Sequence, residues 1–149
     1  MLPMIAAIGA MGLLAYASLY DMQKRMVQLQ VIILLFLFGF IYLFTNGSDL
    51  FQVFIAVLVM VMLFGGAFLY GMGAGDMLVF IAISLFFNGF NDVLPFMILF
   101  VFYTIAAIIY YVVKNPEIKK GIMRFEFPLI PTIFLAFSTF MIFKAFFIF

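Results

Sequence analysis

Gly71-Met72-Gly73-Ala74-Gly75-Asp76-Met77 is the stretch on which the reading of this chain turns. Apolar sequence flanks it on both sides, Leu50 to Tyr70 before and Met77 to Phe87 after, so three alternating glycines and a carboxylate stand at the mouth of a hydrophobic helix. Glycines at this spacing give the backbone conformations closed to other residues, and they let a second chain approach closely. An ionisable group at or just below a membrane surface is expensive to keep there, which marks Asp76 as a candidate functional residue.

Working outward, the 149 residues are 70% hydrophobic, 9% charged and include 24 Phe, with a mean hydropathy of +1.39. That composition excludes a soluble globular domain and predicts an all-α polytopic membrane protein in a single domain, residues 1–149. A formal charge of +1 gives no reason to expect a nucleic-acid partner. The chain has no Cys and no His, which removes disulfides, thiol nucleophiles, Cys/His zinc sites and His-based triads. Chemistry is left to six acidic and seven basic side chains and the hydroxyls.

Six apolar runs are predicted to be spans: Pro3 to Tyr20, Leu29 to Phe44, Leu50 to Tyr70, Asp76 to Phe87, Val93 to Val113 and Pro128 to Phe149. The first lacks a preceding basic region and is expected to be a retained span, not a cleaved signal peptide. The fourth is short: even carried to Phe90 it reaches about 22 Å at the helical rise, against a hydrocarbon core of about 30 Å. Either that helix is short or the glycine segment dips into the membrane. The sixth is expected to bend at Pro131, with Lys144 close enough to the end to snorkel.

Charge orients the spans. Lys24, Arg25, Lys114, Lys119, Lys120 and Arg124, six of the seven basic residues, share one face if the N-terminus is outside, and that face is then cytoplasmic. Asp21, at the end of span one, and Asp76, at the start of span four, fall on this same face at similar depth, whereas Asp49 and Asp92 fall on the other as turn or capping residues. Two carboxylates sharing one water can hydrolyse an amide, one taking the water's proton while the other protonates the carbonyl oxygen. Like charges a few ångströms apart do not both ionise easily, so such a pair holds one proton. The helix ends suggest the ionised acid is Asp76, at a positive end, with the proton on Asp21, although Lys24 and Arg25 act in the opposite sense.

Blander readings compete at each residue. Asp76 alone reads as an N-cap, Asp21 alone as an interfacial acid paired with Lys24 or Arg25, and the glycines as a turn or packing site. A small ion- or proton-coupled transporter subunit using Asp76 at a glycine-broken helix is the alternative function, and a structural subunit is a third. A transporter calls for related halves and polar residues at mid-membrane, and neither is found in the sequence.

Gly73-Ala74-Gly75-Asp76 matches the GxGD motif of intramembrane aspartic proteases, and the six-span layout resembles the type IV prepilin peptidases, including the archaeal preflagellin peptidases. The resemblance implies catalytic aspartates at Asp21 and Asp76, with Gly73 and Gly75 as motif glycines beside the substrate backbone. It also implies a prepilin-like or archaellin-like precursor as partner, and no metal or organic cofactor. Met26-Val27-Gln28 stands where many members carry Ile-Pro-Asn, and Leu78 where many carry Lys two residues after the motif aspartate. Tyr20-Asp21 is also similar to the YD motif of presenilin-like proteases, but two spans separate it from Asp76 and no Pro-Ala-Leu occurs. The polar connection Lys114 to Phe127 reads as a solvated loop, with a lesser reading that Glu117 or Glu126 attracts a basic leader.

Overall fold

A computed structural model describes residues 1–24, 26–69, 73–114 and 128–147. Among them the regular structure is six helices: α1 Leu2–Lys24, α2 Leu29–Thr45, α3 Leu50–Leu69, α4 Ala74–Ser84, α5 Phe90–Lys114 and α6 Ile130–Phe147. The chain is an all-α membrane protein, with α1 and α5 each long and apolar enough to cross a bilayer unaided. Side chains such as Ile5, Ile33, Phe54, Phe102 and Ile109 are exposed around the outside, where lipid takes the place of water.

The helices pack in a closed circuit, α1 on α2, α2 on α4, α4 on α3, α3 on α5, α5 on α6 and α6 back on α1, with α4 also touching α6. Burial explains why α4 is so short. From Val79 to Phe87 every residue except Ile81 is buried, so this segment fills the middle of the bundle and meets little lipid. Its 11 residues rise only about 16 Å. Beyond Ser84 the chain tightens, with Phe86 and Phe87 donating to the carbonyls of Ile83 and Ser84 at 3.0 and 3.1 Å. Of the two readings left open by the sequence, the described residues show the short helix; Gly71 and Met72 lie outside them.

Aromatic contacts hold α4 laterally against its neighbours. Phe80 stacks on Phe64 of α3 with centroids 3.6 Å apart and meets Phe100 of α5 edge-on at 5.1 Å. Phe86 and Phe87 meet Phe137 and Phe140 of α6, each pair at 5.2 Å. Such pairs add about 0.5–1.5 kcal/mol each beyond the area they bury.

Two expectations about span six change. Pro131 is the second residue of α6, where a missing N–H costs nothing, so it starts the helix and has no ladder to bend. Lys144 does not snorkel: it is 7% exposed, with its ammonium 2.5 Å from Asp92 Oδ2 and 3.3 Å from the carbonyl oxygen of Phe86. Asp92 also accepts the Asn88 N–H at 2.6 Å, closing the turn between α4 and α5. Asp49 caps as expected, accepting the N–H of Phe51 at 3.0 Å in the first turn of α3.

Candidate active site

Helix α1 continues past Tyr20 to Lys24, which puts Asp21 inside its last turn and not beyond its end. The side chain points into the bundle and is 6% exposed. There its Oδ2 accepts the backbone N–H of Ile130, the first residue of α6, at 3.3 Å. The opening N–H groups of a helix have no partner within it, so a carboxylate from another helix serves as an anionic cap. Asp21 thus feels two helix ends of opposite sign, and the field of α1 alone no longer decides which acid carries the proton. Lys24, offered as a partner for Asp21, lies over the Tyr20 ring at 4.9 Å from its centroid; Arg25 is outside the described residues.

Asp76 is the third residue of α4, so the helix starts three residues earlier than a cap at Asp76 would allow. Gly73 is the N-cap, and the Asp76 carboxylate turns back to the Gly73 N–H, as the third-position acid does in a capping box. It is half-buried and close enough to Asp21 for the two negative charges to act on each other. Helices α2 and α6 lie beside both carriers, so the two acids approach across the end of the bundle without α1 and α4 packing along their lengths.

The glycines serve through size. Gly73 has φ −64° and ψ 142°, open to any residue, which sets aside at this position the expectation of a conformation reserved for glycine; Gly71 lies outside the described residues, and among the described glycines only Gly47 and Gly89 have positive φ. A Cβ on Gly73 would sit 3.3 Å from Asp76 Oδ2, crowding the carboxylate. A Cβ on Gly75 would sit 3.2 Å from Val27 Cβ. Val27 belongs to the tripeptide that departs from the family pattern, and the α1–α2 connection rests here against the opening turn of α4. The other departure, Leu78, is 37% exposed.

Neither Val27 nor Ile130 was legible in the sequence as part of the site. A backbone N–H carries no side-chain signature, and the closeness of Val27 to Gly75 exists only once three helices have packed. Glu117 and Glu126 lie outside the described residues. Among the described residues no three acidic, His or Cys side chains converge as a metal site requires.

Two acids from different helices thus stand near one another at one end of an all-helical membrane bundle. Residues 8–113 match the type IV leader peptidase family, and the chain belongs to that family. The match covers α2 to α4 whole, α1 from its seventh residue and α5 but for Lys114, including Asp21 and Asp76; α6 lies beyond it. No curated protein and no solved structure matches the chain.

Proposed function

We propose that the chain is a membrane-embedded aspartic endopeptidase, one domain over residues 1–149, that removes the leader of type IV prepilin-like or archaellin-like precursors. The observation that carries this is that Asp21 and Asp76, in a member of the leader peptidase family, stand near enough for their charges to interact. One carboxylate, ionised, takes a proton from a shared water as its oxygen attacks the scissile carbonyl carbon. The other, protonated, delivers its proton to the carbonyl oxygen. Collapse of the tetrahedral intermediate breaks the C–N bond as a proton passes to the leaving nitrogen, and the pair again holds one proton. The exposed Gly73 leaves room for an extended substrate backbone beside the pair, since an amide within a helix keeps its carbonyl engaged, while Gly75 lets that turn of α4 sit against Val27.

With the N-terminus outside, the charge bias of the connections sets this end at the cytoplasmic face of the cell membrane, where a charged leader meets a hydrophobic helix. Ion transport is less well supported, because the interior beyond Asp76 is filled by Phe80, Phe86 and Phe87, which are at most 1% exposed. The test is coexpression with a tagged prepilin-like precursor. Wild type is expected to shorten the precursor, and Asp21→Ala and Asp76→Ala are each expected to leave it intact; processing by either variant would refute the pair.

A further inference from the structure

Neither acid lies on α6, yet α6 touches the supports of both. Its first residue, Ile130, donates its N–H to Asp21 at 3.3 Å. Fourteen residues on, about 21 Å along the axis, Lys144 donates to the Phe86 carbonyl at 3.3 Å and pairs with Asp92 at 2.5 Å. Phe86 lies two residues past the end of the helix that carries Asp76, so one helix reaches from the carboxylate of α1 to the far end of α4. Resting on the peptidase reading above, we propose that α6 is the spacer that sets Asp76 against Asp21, with Lys144 and Asp92 as positioning residues.

Three features favour this over a lock serving stability alone. Helix α4 has only 11 residues, so a displacement at Phe86 is passed through about three turns to Asp76 with little length to absorb it. The Phe86–Phe137 and Phe87–Phe140 contacts, also made with α6, hold the end laterally, but edge-on rings are weak constraints on sliding along the axis. The ammonium is directional and buried, and its contacts with Phe86 and Asp92 fix the axial position that the rings leave soft. Two acids that share one water tolerate little error, since a misplacement of about 1 Å can cost about 100-fold in rate.

Lys144→Met by itself strands the Asp92 charge and can unfold the chain, so the decisive variant is Asp92→Asn with Lys144→Met, which keeps the site neutral. In purified full-length protein this pair is expected to lower kcat about 10- to 100-fold with KM within about twofold, and Lys144→Arg to retain most of kcat. A second readout needs no activity. The chain has no cysteine, so Val27→Cys with Gly75→Cys, whose β-carbons would lie about 3.2 Å apart, reports where α4 begins. Disulfide formation is expected to be several-fold slower when Asp92→Asn and Lys144→Met are added. Wild-type kcat in the folded pair variant, or an unchanged cross-linking rate, overturns the proposal. Absence of cleavage by wild type itself would strike the peptidase reading instead, leaving the cross-linking to decide the role of α6.

Discussion

Asp21 and Asp92 are almost equally hidden, at 6% and 7% exposure, and stand at opposite ends of one bundle, only one of them within reach of another acid. Asp92 has an ammonium at 2.5 Å and a backbone N–H at 2.6 Å, so its charge is answered where it sits. Asp21 has among its neighbours the opening N–H of α6 and a second carboxylate near enough for the two charges to interact. A buried ion pair holds a structure in register when its geometry is good. A pair of like charges does nothing for stability that one acid or an amide would not do better, and this is the pattern by which functional sites are recognised. Burial marks both ends alike; a second carboxylate within reach marks only the end that holds Asp21.

The contrast is broken most severely at the acid pair. Asp21→Asn or Asp76→Asn is expected to lower precursor cleavage by at least 10²–10⁴-fold, followed in a gel-shift assay, with little loss of folded protein because each change relieves a repulsion. At the other end the signs invert. Lys144→Met is expected to cost about 3–5 kcal/mol of stability, read from denaturant unfolding, and combining it with Asp92→Asn should recover most of that loss. Equal losses in the single and double variants would show that packing of the lysine stem, not its charge, holds this end.

Smaller effects sharpen the comparison. Gly75→Val drives a branched side chain into Val27 and is expected to cost about 1–3 kcal/mol, read from the same unfolding curves; Val27→Ala should return part of it by making room. Least of all, Asp49→Ala removes an exposed cap from α3 and is expected to cost about 1 kcal/mol, seen as a slightly lower unfolding midpoint with cleavage unchanged.

Much of the layout was legible because spans are written in composition: long apolar runs, turn clusters such as Thr45-Asn46-Gly47-Ser48 and basic connections need no tertiary information. The acid pair was legible for a similar reason, since carboxylates at the edge of apolar runs are conspicuous and counting spans brings them to one face. Lys144 was misread because a lysine near a helix end usually reaches for water, and only packing shows that Asp92, 52 residues away, has come to meet it. Gly73 was misread in cause, since a glycine needed for its small size and one needed for its dihedral angles look the same in sequence.

By itself the sequence determined that this protein is a bundle of apolar helices with two acids on one side, because hydrophobic length and charge placement are local properties that a bilayer reads directly. Only the tertiary structure decided that α4 is a short inner helix, that Val27 rests on Gly75, and that α6 reaches from Asp21 to the end of the helix bearing Asp76. Those relations depend on which helix packs beside which, and helices that are apolar on every face carry too little periodicity to announce their neighbours.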